Sequence, residues 1–363
     1  MRGFISGIVI GLAIGVIIAA KTAPEYKKGP ENKLRNTNIQ LGNVANLSLA
    51  SAFSSTMPIT GDLGPMLVKR LKKISNGSII INFYEPEALI PTHNLFDAVS
   101  SGAVDTALSS SRFWSHKSPA FELFSSVPFG PDMVPYLTWF RQHGGQKLYE
   151  NLYSRHNIHS MVCGITGAAG AGWFNHEITT LNDLRKSKIA ASGLISKVYT
   201  AVGATTVKIK PSNFLSWLKL EKVNAVAFST PATDLYLGLP KYAKYYYFPG
   251  WFQQASFIDL MFNLTKWKNL STNQRKMIES ACMANITHSM AANEAVQFDT
   301  LKKIVISGVE VRKFPPDIIR TLKSSWLSVA NSQSTSNTEF KQILKSLREF
   351  RRDYSIWQDL EKI

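Results

Sequence analysis

At 363 residues the chain is longer than one compact core usually serves, so two core-bearing domains are expected. Its 45% apolar and 18% charged residues are those of a folded globular protein and exclude an intrinsically disordered one. A formal charge of +16 would suit nucleic acid, an anionic membrane surface or acidic partners, but adjacent basic residues never exceed two and the aromatics read as core, which argues against nucleic acid.

Residues 4–20 carry no charge and would span roughly 25 Å as helix, a little less than the roughly 30 Å hydrocarbon core. They read as a signal peptide or an uncleaved anchor. Ile18-Ala19-Ala20 suits cleavage, whereas Gly3, Gly7, Gly11 and Gly15 recur at the spacing that lets membrane helices approach closely. Lys21, Lys27, Lys28, Lys33 and Arg35 follow, and the positive-inside rule alone would keep the body cytoplasmic. Residues 21–43 are polar, broken by Pro24, Gly29 and Pro30, and read as a tether.

Folding is expected from residue 44. Residues 46–53 suit a buried strand, and Leu63, Leu67, Leu71 and Ile74 then recur at helical spacing until Asn76-Gly77. A strand over 78–84 follows. Residues 94–108 form a helix that stops at Gly102 and a strand that enters the sheet at Val104. The unit returns at 214–228, with Glu221 in the place of Gly102 and Asn224 in that of Asp105.

Between the copies lies Gly164-Ile-Thr-Gly-Ala-Ala-Gly-Ala-Gly-Trp-Phe174, four glycines in eleven residues. A P-loop Lys-Ser/Thr is missing, so the stretch reads as a crossover or hinge rather than a phosphate cradle. Two βα lobes echoing each other across it suit a receptor whose ligand selects a closed arrangement. In the second half, residues 181–183 open a polar segment. Strands are expected at 189–191, 205–209, 245–251, 257–264 and 309–314, with a helix at 198–202. Residues 272–307 keep helical periodicity through Ile278, Cys282, Ile286, Met290 and Leu301, too long for one lobe, so the helix either braces both lobes or is exchanged between subunits. Further helices start at Pro315-Pro316 and span 340–360.

Cys163 and Cys282 make no disulfide framework and read as small buried hydrophobes; His156 and His159 read as a surface pair rather than a metal site. No spaced nucleophile and base, paired carboxylates or metal set appears, so neither an enzyme nor a cofactor is expected.

At this point the chain resembles the DctP-type solute receptors of TRAP transporters, most closely the branch that receives 2-oxo acids. The resemblance rests on Asp97-Ala-Val-Ser-Ser-Gly102, Ala120-Phe-Glu-Leu-Phe-Ser-Ser-Val-Pro-Phe-Gly130, His143-Gly-Gly-Gln-Lys-Leu-Tyr149, Gly172-Trp-Phe174, Tyr245-Tyr-Tyr-Phe-Pro-Gly-Trp251 and Arg351-Arg-Asp-Tyr-Ser-Ile-Trp357. It implies an α/β, two-lobed periplasmic solute-binding fold with a long bracing helix, divided as lobe 1 at 44–163, hinge at 164–174, lobe 2 at 175–264 and a bracing region at 265–363. It also implies a periplasmic body, free or tethered by residues 4–20, that hands a small organic solute to a small and a large permease subunit. Some members are helix-swapped dimers, so a homodimer is among its implications.

Receptors of that branch look to place a glutamine in the glycine stretch, an arginine in the strand before Gly193, a Glu-Trp pair after the second repeat and an acid after the Pro-Gly-Trp turn. Here those positions are Ala169, Ala190, Ala227, Phe228 and Gln253. An arginine fork makes two charge-assisted hydrogen bonds, so its loss is worth about 10² to 10⁴ in carboxylate affinity. Without two carboxylates a bridging sodium or calcium ion lacks hard oxygen ligands. One expectation is therefore a remade cleft, with those four apolar positions as its floor, Trp173, Tyr246 and Trp251 as walls and Arg112, where relatives carry a tyrosine, as a relocated anion anchor. The alternative is a degenerate receptor kept as a docking component.

Overall fold

The computed structural model describes residues 44–361, and these build two sheets. The expected signal or anchor and the tether lie outside the described residues. Among the described residues no helix is long and apolar enough to cross a membrane.

The strands are β1 (Ala45–Ser51), β2 (Ile79–Tyr84), β3 (Thr106–Ser109), β4 (Ile158–Thr166), β5 (Gly172–Phe174), β6 (Lys188–Ala190), β7 (Thr205–Val207), β8 (Ala225–Val226), β9 (Tyr245–Tyr247), β10 (Ser256–Asn263) and β11 (Glu310–Arg312). The first sheet has the order β2-β1-β3-β10-β4, the second β11-β9-β5-β8-β6-β7. β1 lies parallel to β2 and β3, as the crossover helices Thr60–Ile74 and Leu95–Ser101 require. In the second sheet β6 lies parallel to β7 and β8 in the same way.

The repeat is visible in the backbone. Gly102 ends its helix left-handed at φ 84°, and Glu221, its counterpart, makes the same turn at φ 53°, where residues other than glycine rarely sit.

β10 corrects the lobe boundary expected at 264. It runs antiparallel between β3 and β4 in the first sheet, and all eight of its residues are buried, as a central strand covered on both faces demands. The chain therefore crosses between the sheets at 167–171 and again at 248–255, and the two crossings are bonded together. Ala169 N–H donates to the Gln253 carbonyl (3.0 Å), Gly250 N–H to that of Ala169 (2.7 Å), and Gln253 Nε2 to that of Gly167 (3.2 Å). At Gly170 a Cβ would strike the Tyr246 ring, which is why this crossing is built of small residues.

Two further differences are local. Residues 181–186 are a helix, Leu181–Lys186, because Thr180 and Asp183 close a capping box at its start. Helices Met133–Gln142 and Gly145–Ser154, which set Tyr136, Trp139, Tyr149 and Tyr153 into the core beside β4 and β10, have no counterpart among the expected elements.

The helix Thr272–Ile306 has 35 residues, about 52 Å of rod. Ile278, Ala281 and Cys282 pack into the first lobe's core and Ile304 into the second's, so the helix braces both lobes of its own chain. Between these ends it holds the first crossing: Ser289 Oγ accepts from Ile165 N–H (2.9 Å) and Asn293 Oδ1 from Gly167 N–H (3.0 Å). Cys163 of β4 and Cys282 of this helix are buried as expected, but they are joined in a disulfide and are not separate hydrophobes.

Candidate functional site

In open sheets with parallel strands, ligands bind beyond the carboxyl ends of the strands. Here the ends of β3, β6 and β8 meet between the lobes. β3 leads into Ser109, Ser110 and Ser111, whose hydroxyls are buried without a hydrogen-bond partner, and then into Arg112 on the 3-10 turn Ser111–Trp114. β8 leads into Ala227 and Phe228.

Arg112 spans the gap. Its Nη1 donates to the Phe228 carbonyl at 3.0 Å, and the guanidinium lies 4.8 Å from the centre of the Phe228 ring and 5.6 Å from that of Phe113. Burial lowers its pKa, while the nearby carboxylates of Asp234 and Glu122 act in the opposite direction. Asp234, on the short helix Pro231–Tyr236, accepts from Trp173 Nε1 at 2.8 Å through Oδ2, and its Oδ1 has no hydrogen-bond partner. Burial raises this carboxyl to about 7, against the Trp173 bond and the Arg112 charge. A second contact, Thr56 Oγ1 to the Tyr236 hydroxyl at 2.8 Å, also joins the lobes.

The expected site residues separate into groups. Arg112 and Phe228 are brought together, both half-buried. Ala169 and Gln253 face each other in the paired crossings, where the Gln253 side chain serves the backbone. The expected floor is not one surface: Ala190 joins the core on one face of the second sheet, while Ala169 and Ala227 join the core on the other. Trp173 and Tyr246 are corrected as cleft walls. Fully buried, they stack on each other at 4.1 Å within the core of the second lobe, because strand alternation points them to the same face as Val226. Trp251 donates from Nε1 to the Tyr199 hydroxyl (3.1 Å) and packs in the shared core. Asp234 and the three serines are absent from the expected set. The serines had position as a signal, since they stand at and just after the end of β3; Asp234, on a helix eight residues beyond β8, had none.

Two α/β lobes tied by crossed connections, with polar and charged groups gathered between strand ends, define a receptor that closes on a small molecule. The chain belongs to the bacterial extracellular solute-binding protein family 7, DctP, whose sequence profile matches residues 49–334. It is 27% identical over 300 residues to the monocarboxylate 2-oxoacid-binding periplasmic protein of Nostoc sp., covering 82% of each chain. A TRAP transporter solute-binding protein from Bordetella bronchiseptica, whose crystal structure carries copurified calcium and picolinate, superposes with a TM-score of 0.83 at 26% identity over 88% of this chain and 95% of that one. One from Pseudoalteromonas atlantica with bound sodium and pyruvate gives 0.81 at 26% identity over 88% and 99%. The protein is thus a periplasmic-type TRAP solute receptor for small organic solutes, of a family that works with membrane permeases.

Proposed function

We propose that this receptor takes a small, weakly charged organic solute without a bridging metal ion, closing on it beside the paired Arg112 and Phe228. The observation that carries the reading is the pair Ala190 and Ala227. These strand-end positions, where the 2-oxo acid branch is expected to place an arginine and a glutamate, are buried alanines joined backbone to backbone, with Ala227 N–H donating to the Ala190 carbonyl at 3.0 Å. With Gln253 turned to a backbone carbonyl as well, the hard oxygen ligands a sodium or calcium ion needs are not supplied from these positions. Arg112 remains as the cation beside the gap, partly shielded by Phe228.

Thermal unfolding of the purified protein against 2-oxo acids, mono- and dicarboxylates, amides and sugars, with and without sodium and calcium, tests this. A ligand at 100 times its Kd adds about 2.7 kcal/mol of stability. The expected hit is an uncharged or singly charged solute whose shift is the same in both ionic conditions. A 2-oxo acid that shifts the transition only with added metal would overturn the reading.

A further inference from the structure

Glu122 sits in the 3-10 segment Pro119–Phe124 of the first lobe, 4% exposed between the buried Phe121 and Leu123. Its Oε2 accepts from the Leu194 N–H at 2.7 Å, in the first turn of the second lobe's helix Gly193–Ala201. Gly193, at φ 61°, makes the approach possible, since a Cβ there would run into the carboxylate. A cavity of about 400 Å³ opens beside this contact, lined by Glu122, His116, Lys197 and Lys208 and by the uncharged polar end of the helix Pro316–Ser336. Arg112, Lys197 and Lys208 all act on the carboxylate. The N-terminus of a helix thus donates to one acid supplied by the protein, with Lys197, whose Nζ donates to Gln333 Oε1 at 2.7 Å, and Lys208 on the cavity wall beside it.

We propose that Glu122 sets the charge selectivity of the receptor: its carboxylate, carried by one lobe into the helix end of the other, holds the place an anionic group of a solute would take. The cavity is thereby closed to carboxylates and sulfate and open to neutral solutes. This rests on the reading of a weakly charged solute and names the residue that enforces it. Burial raises the Glu122 carboxyl to about 7, against the Leu194 amide and the cations. As pH falls through that value Glu122 takes up a proton, the cavity gains one unit of positive charge, and anion binding should appear; as pH rises it should be lost. The titratable groups around it are Arg112 on the turn after β3, His116 beyond that turn, Lys197 on the helix and Lys208 after β7.

Isothermal titration of the full chain with pyruvate and with sulfate, at pH 8 and pH 5.5, tests the proposal on wild type, Glu122→Gln and Glu122→Ala. Glu122→Gln is isosteric and can keep the Leu194 contact through its amide oxygen, so it reports even where Glu122→Ala unfolds. The expected result is at least tenfold tighter binding of both anions by Glu122→Gln at pH 8, a comparable gain in wild type at pH 5.5, and little pH dependence in the variant. Unchanged affinity in Glu122→Gln overturns the inference. A pH dependence that survives in this variant assigns the effect to His116 and overturns it too. Tight, metal-dependent pyruvate binding by wild type at pH 8 would instead sink the reading of the solute, so the two failures are distinguishable.

Discussion

Arg112 commits Nη1 to a backbone carbonyl and one face to an aromatic ring, but a guanidinium has five N–H donors. Replacing it with alanine should weaken binding of the receptor's own solute at least tenfold, with a small change in melting temperature. Lysine should not restore it, because the planar fork and the stacking on Phe228 are lost together. Equal solute affinity in wild type and Arg112→Ala, read by titration, would reduce the residue to a tie between lobes. Arg112 was legible as an unusual residue after a strand, and Phe228 as its neighbour across the gap was not, since nothing in a linear sequence pairs a turn in one lobe with a strand end in the other. Trp173 and Tyr246 show the converse. Aromatic character suggested cleft walls, but the side to which a three-residue strand points its side chains depends on register.

Among elements, those with a strong period were legible. The helix Thr272–Ile306 and the repeated helix-and-strand unit appear close to their expected limits, down to the left-handed turn shared by Gly102 and Glu221. β10 was legible as a strand but not in its partners: eight buried residues fit either sheet, and only the long-range pairing with β3 and β4 decides. The disulfide was invisible for a similar reason, because its cysteines lie 119 residues apart and no spacing rule reaches that far. A cross-link over about 100 residues is worth up to about 4.7 kcal/mol in chain entropy, with typical measured effects of about 2–4 kcal/mol. The Cys163→Ala, Cys282→Ala double variant should therefore unfold at clearly lower urea than the oxidised wild type, by about 2–4 kcal/mol. Coincident urea curves would show that the bridge adds nothing to stability.

At the scale of the molecule, three buried acids among the described residues bear on the response to pH. Glu122, Asp234 and Asp259 are each raised to about 7 by burial; Asp259, on β10, accepts from the Tyr153 hydroxyl at 2.6 Å. The folded state holds these protons more tightly than the unfolded chain, so the stability they contribute is complete below the ordinary carboxylate range and is lost as pH rises through about 7. His159, stacked on Trp267 at 4.1 Å, works the other way: burial depresses it to about 4, and its contribution is lost as pH falls from its ordinary 6.5 toward that value. His156, also lowered by burial, acts in the same direction as His159; three acids against two histidines still give the expected sign, a melting temperature that declines from pH 5 to pH 8, with a smaller decline in Asp259→Asn. A melting temperature that rises over the same interval would show that the buried acids are not the controlling groups.

The bridge between β4 and the long helix also bears on where the protein matures. Disulfides persist where thiols are oxidised and are rare where glutathione and thioredoxin keep them reduced. A cross-link that fixes the bracing rod to one lobe is therefore the chemistry expected of an oxidising compartment. It agrees with the periplasmic solute-binding family to which the chain belongs, and runs against what the lysines and arginine after residues 4–20 would give by charge alone.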